Sequence, residues 1–148
     1  MKLKEQSGFT LVELLVVIGI LTVLTAVVLV AVNPGRQLAQ ARDTQRRADV
    51  NTIITSITAY MADPENNGKL PAGIVTLCAA GSHSIGTGGL DLALLVAPTY
   101  VADMPLDPSG GTAADTGYTV CVAEATARRI TVAAPNGELA TTPISVTR

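Results

Sequence analysis

The sequence predicts an α+β chain: a long N-terminal helix, membrane-spanning in its first half and kinked near Pro34, whose second half packs on a small antiparallel sheet. Three observations predict it. Phe9 to Val32 is an apolar run holding a single ionisable side chain, Glu13. Val50, Ile53, Ile54, Ile57 and Met61 recur at three- and four-residue steps, the period of a helix with one apolar face. Beyond Gly117, apolar and polar residues alternate, the period of half-buried strands. The expected organisation is a leader over 1–8, an apolar helix over 9–32, an amphipathic helix over 33–62, and a variable connection with a small sheet over 63–148.

The apolar run lies at the start of the chain. As a helix it would extend roughly 36 Å, enough to cross a hydrocarbon core of about 30 Å. A secretory signal places its small-residue cleavage site after a short apolar core. Here Ser7 and Gly8 precede the run, and the run is longer than a signal core, so it should stay with the mature chain. Glu13 then lies about one turn inside a membrane span, where a carboxylate costs on the order of a few kcal/mol unless it finds a partner. Lys2 and Lys4 favour a cytoplasmic leader, whereas Arg36, Arg42, Arg46 and Arg47 on the far side oppose that orientation. Charge alone does not fix the topology.

Past the span, Asn33-Pro34-Gly35 reads as a break followed by a new helical start, with asparagine as N-cap and proline at the first position. The second helix should run to about Ala62. Leu38, Ala41 and Ala48 extend its apolar stripe more weakly upstream, and Arg42, Asp43, Arg46, Arg47 and Asp49 form the opposite, solvated face, with salt bridging between subunits as the alternative. Asp63-Pro64-Glu65-Asn66-Asn67-Gly68 stops the helix. A long connection rich in Gly, Ser, Thr and Ala follows. Within it Leu90 to Val96 should form a helical turn or two, and Tyr100 to Pro108 an extended segment pinned by two X-Pro steps. Strands are expected over Gly117–Ala125, Arg129–Ala134 and Ile144–Val146, with Thr126, Ala127 and Arg128 as a hairpin loop.

Composition narrows the function. Of the 148 residues 48% are hydrophobic but only 3% aromatic, so the core is aliphatic and thin. The net charge is −2, and from Asp63 onward acids outnumber bases. An acidic head argues against electrostatic capture of nucleic acid. No cofactor is implied, and no constellation of base, nucleophile and stabiliser points to an enzyme. His83, the only histidine, sits in a polar loop; with Cys78 it lacks any orienting acid, and two cysteines with one histidine lack zinc spacing. A Cys78–Cys121 disulfide would staple the connection to a strand and contribute on the order of 3 to 4 kcal/mol. Two separately buried thiols fit equally well.

The motif Gly8-Phe9-Thr10-Leu11-Val12-Glu13, with the apolar helix after it, resembles the N-terminus of type IV pilins and of the pseudopilins of type II secretion systems. The resemblance is close over about the first 32 residues and covers the rest in general plan. It implies that a prepilin peptidase cuts between Gly8 and Phe9 at the cytoplasmic face and methylates the new Phe9 amine. It also implies that Thr10 and Glu13 serve assembly of a helical homo-oligomeric filament on a membrane assembly platform. Phe9 and Glu13, four apart, would share one helix face about 6 Å apart along the axis. In a staggered bundle Glu13 would meet the freed amine of a neighbour's Phe9. The expected location is the cytoplasmic membrane before assembly, head outward, and a surface filament afterwards. A secretion pseudopilin and a single-pass anchored binding module that never polymerises are the alternatives. Some pseudopilins bind calcium beside the sheet, so the resemblance also draws attention to Asp103, Asp107 and Asp115, which have no EF-hand pattern.

Overall fold

A computed structural model describes residues 8–74, 76–124, 126 and 129–148. Lys2, Lys4, Glu5 and Ser7 of the expected leader, and Ala125, Ala127 and Arg128 around the expected hairpin loop, lie outside the described residues. The chain forms two compact units that divide between Leu38 and Ala39.

The first unit is dominated by helix α1, Leu11–Val32. Every described side chain in it is exposed, and it is apolar on all sides, which marks a helix whose partners are lipid or other molecules. Its length and composition suffice to cross a membrane. Asn33 ends it in the left-handed region at φ 46°, a C-cap conformation that asparagine tolerates. The same residue opens the next helix: its side-chain oxygen accepts from the Arg36 N–H at 3.3 Å, and Pro34 takes the first helical position where a missing N–H costs nothing. The interruption expected at Asn33-Pro34 is therefore present. Helix α2 runs Pro34–Ala62.

The second unit, the head, holds the core. From α2 it takes Val50, Ile53, Ile54 and Ile57, all essentially fully buried. Against them pack Tyr118, Val120 and Val122 of β2 (Thr119–Glu124), Ile130, Val132 and Ala134 of β3 (Arg129–Ala134), and Ile144 of β4 (Ile144–Thr147). Truncating one of these isoleucines to alanine would cost about 2–5 kcal/mol. The connection adds Ile74, Ile85, Leu92, Val96 and Met104 to the same cluster. It also carries two elements: a short strand β1, His83–Ser84, and a one-turn helix α3, Ala93–Val96. The sheet order is β1-β2-β3-β4, antiparallel throughout. The two-residue β1 was not expected; it lacks any run long enough to show alternation.

The upstream part of α2 corrects the expected stripe. Leu38, Ala41 and Ala48 are exposed, and the buried face continues instead through Ala39, Asp43 and Arg46. The expected solvated face is thus broken: its two central charges are core residues. They can be, because they neutralise one another and a third charge from the connection. Arg46, fully buried, sends Nε and Nη2 to the two oxygens of Asp107 at 2.7 and 3.0 Å, and Nη1 to Asp43 at 2.8 Å and Glu138 at 3.1 Å. Asp43 in turn accepts from the backbone N–H groups of Glu138 and Leu139 at 2.9 and 2.8 Å. Arg42 forms a bidentate pair with Glu138. One helix face therefore clamps both the connection at Asp107 and the turn after β3 at Glu138.

Hydrogen bonds set the charges of this clamp. The two backbone donors, then Arg46, hold the Asp43 carboxyl at about 2, and Arg46 holds the Asp107 carboxyl at about 2. Gly111 and Gly117 let the loop close on Asp107: a side chain on either would run into that residue, and Gly117 has φ +80°. Tyr118 is buried with its hydroxyl donating to Asp49 at 2.6 Å; burial first and that carboxylate second push its hydroxyl pKa upward.

Candidate functional site

The motif residues sit at the start of α1. Gly8 and Phe9 precede the helix, and Thr10 is its N-cap, with extended φ −82° and ψ 154°. The Thr10 hydroxyl oxygen accepts from the Glu13 N–H at 3.2 Å. The Glu13 carboxylate reaches back and accepts from both the Thr10 N–H and the Thr10 hydroxyl, each at 2.8 Å. This is a capping box, in which two donors at a helix end are satisfied reciprocally. The carboxylate also lies in the first turn, where the helix dipole favours negative charge. Among the described residues, a single threonine three residues away thus supplies the side-chain hydrogen bonds that Glu13 makes.

Two points of geometry differ from expectation. Phe9 lies outside the helix, so Phe9 and Glu13 do not share a helix face; the cap at Thr10 breaks the periodicity that a face would need. Thr10, expected only as an assembly residue, is the direct partner of Glu13. The signal for this was present as Thr-x-x-Glu ahead of an apolar run. Among the described residues, Gly8 has no atom within 4 Å of where a Cβ would stand. Phe9 is 85% exposed.

The remaining candidate residues lie in the head. Cys78 and Cys121 are joined in a disulfide with a Cα–Cα distance of 5.0 Å. The bridge reinforces a contact the backbone already makes: the Cys78 N–H donates to the Val122 carbonyl at 2.9 Å, and the Val122 N–H donates to the Thr76 carbonyl at 2.8 Å. It explains why Cys121, facing away from the α2 side of β2, is buried as well. His83 Nε2 lies 2.7 Å from the Thr76 hydroxyl, and with Cys78 bridged no thiol is available to pair with it.

Asp103, Asp107 and Asp115 serve three different local structures. Asp103 accepts from the Met104 N–H at 2.8 Å, Asp107 is taken by Arg46, and Asp115 accepts from the Ser84 hydroxyl at 2.8 Å and the Gly117 N–H at 3.0 Å. Among the described residues no three His, Cys, Asp or Glu side chains gather as a metal site. A guanidinium already on Asp107 opposes a second cation there. The calcium expectation therefore finds no such cluster in the head.

An N-terminal helix long and apolar enough to cross a membrane, headed by this motif and followed by an α+β head, defines the class. A family model described as the prokaryotic N-terminal methylation motif matches residues 3–29. The matched segment is similar to the N-terminus of type IV pilin- and pseudopilin-like proteins, which are prepilin peptidase substrates. The matched family is structural rather than enzymatic. No curated protein and no solved structure gives a significant match to the chain.

Proposed function

We propose that this chain is the structural subunit of a type IV pilus-like filament. In this reading it is stored in the cytoplasmic membrane as a precursor, cut after Gly8, methylated on the Phe9 amine, and assembled through α1. One observation carries the reading: α1 is apolar on every side and wholly exposed, yet begins with a carboxylate whose partner is its own cap. Such a helix needs lipid or its own copies around it.

The geometry suggests an order of events. While the chain is stored, Thr10 supplies two donors to Glu13, which lowers the cost of keeping a carboxylate at the edge of the hydrocarbon. Hydrolysis of the Gly8–Phe9 bond creates a cationic amine one residue before Thr10. In a staggered bundle that amine is the stronger partner for a neighbour's Glu13, because two ions that are each costly in lipid neutralise one another. Among the described residues no atom stands within 4 Å of a Cβ built on Gly8; in this reading the glycine there serves the peptidase.

The mass and identity of the mature N-terminus test this directly. A chain beginning with methylated Phe9 is the expected result, and a retained Met1 would sink the reading. Glu13→Ala should leave precursor and cleavage intact while filaments disappear; an anchored module that does not polymerise would be indifferent to it. The same motif suits a secretion pseudopilin, and electron microscopy of sheared surface material distinguishes long surface filaments from their absence.

A further inference from the structure

Two faces of the head carry opposite, unspent charge at opposite edges of the sheet. At the β4 edge, Arg47, Asn51 and Thr55 follow one another at four-residue steps along α2, and Arg47 and Asn51 line an open groove of about 480 Å³ together with Leu139 and the chain through Val146. Arg148 lies along the same strip, its Nη1 3.3 Å from the Thr55 hydroxyl. Arg47 is exposed and has no ion-pair partner among the described residues. The strand beside it, β4, is an edge of the sheet with no further strand paired to it among the described residues. Ile130 and Arg148 exchange both backbone hydrogen bonds, so by antiparallel alternation Ser145 and Thr147 direct their main-chain groups away from β3. Unpaired edges of this kind are ordinarily covered or paired.

At the β1 edge the charge is reversed. Residues 70–127 contain no lysine or arginine. Asp91 and Asp103 line a narrow slot of about 150 Å³ with Ile85, Ala93, Met104 and Leu106, and Asp115 holds Ser84 of β1 itself. Unlike Asp43 and Asp107, neither Asp91 nor Asp103 has a cationic partner among the described residues. Each face also has an exposed leucine, Leu139 at 46% on the basic side and Leu106 at 43% on the acidic side. An apolar centre with a charged rim is the usual anatomy of a protein interface.

We propose that these faces dock on one another between neighbouring copies of the chain, with Arg47 of one head meeting Asp91 and Asp103 of the next. This rests on the filament reading and adds the head surface to it. The two patches differ and lie at opposite edges, so the contact is heterologous. Such a contact leaves one free face of each kind at the ends and propagates as an open helix. The occupant of the β4 groove is therefore a second copy, selected by charge complementarity.

The test is charge reversal in the full-length chain, assembled in cells with its peptidase and platform, with sheared filament yield measured against total processed subunit. Arg47→Glu alone, and Asp91→Arg with Asp103→Arg, should each lower the yield at least about tenfold, and the three together should restore most of it. All three positions are solvent-accessible, so the melting temperature of the detergent-solubilised chain should stay within about 2 °C of the parent. Reversals that leave the yield unchanged, or a combination no better than its parts, overturn the proposal, whether the groove then serves another protein or none. Glu13→Ala separates the two levels. If it abolishes filaments while the reversals are silent, only the head contact falls; if it too is silent, the filament reading falls with it.

Discussion

Two carboxylates show how differently the two units of this chain are built. Glu13, in the tail, is held by a threonine three residues away and lies on a helix with no buried side chain. Asp107, in the head, is 4% exposed and held by an arginine 61 residues away in sequence. A local contact of the first kind survives any rearrangement around it and is cheap to exchange for a better partner. The second exists only when the head is folded, and once formed it cannot be given up without leaving a buried charge alone. The tail's carboxylate is therefore held locally, and the head's by the fold.

The largest effect should come from breaking the closed half. Arg46→Ala strands Asp43 and Asp107 without their guanidinium and should cost about 3–5 kcal/mol, the penalty of an uncompensated buried charge. Chemical denaturation of the detergent-solubilised chain measures it. Arg46→Lys should recover only part, because an ammonium cannot engage Asp107 bidentately. A loss below about 1 kcal/mol for the alanine variant would show the clamp to be ornamental.

Next in size is the disulfide. Its partners are 43 residues apart, and removing the cross-link by Cys78→Ser with Cys121→Ser should cost up to about 4 kcal/mol in the chain-entropy account. Alkylation without reductant tests the bridge itself: the expected result is no labelled cysteine, and full labelling of both would refute it.

The pH dependence follows from the same clamp. Asp43 and Asp107 titrate at about 2 in the folded head against an ordinary 3.8. Their carboxylates bind fewer protons folded than unfolded, so their stabilisation is complete above about pH 4 and is lost as the pH falls toward 2. Tyr118 behaves in the opposite sense. Its raised pKa keeps the neutral phenol in the fold, so its contribution holds below the ordinary value of 10.0 and declines as the pH rises past it. Thermal unfolding across pH 2–11 should show both flanks, and Arg46→Ala should flatten the acid one.

The smallest effect is the sharpest probe of the tail. Thr10→Ala removes the hydroxyl of the cap and should loosen the first turn of α1 by about 1 kcal/mol. Head stability should not change at all. Amide exchange at Glu13 and Leu14, faster in the variant, is the measurement.

Legibility followed the same division. The apolar helix, the interruption at Asn33-Pro34 and strand β3 could be read because each depends on neighbours within a few residues. Leu90–Val96 was expected as helix and only Ala93–Val96 is, since Gly88, Gly89 and the backbone bonds of Leu90 to Ser84 and Gly86 tie its start to β1 instead. Asp43 and Arg46 were misplaced for a simple reason: periodicity scores charge as solvent-facing, and only the arrival of Asp107 and Glu138 makes burying them tolerable. The position of Phe9 outside the helix is likewise a local matter, set by the cap at Thr10.

The sequence by itself determined the tail: an apolar helix, its cap, its acid, and the glycine–phenylalanine junction ahead of them, all written in contiguous residues whose chemistry needs no fold to be expressed. Only the tertiary structure decided which charges of α2 are core and which are surface, where the connection is pinned, and which edges of the sheet remain unspent. Those outcomes depend on residues far apart in the chain meeting across a core that excludes water, where an unpaired charge is costly and a paired one becomes a fastener.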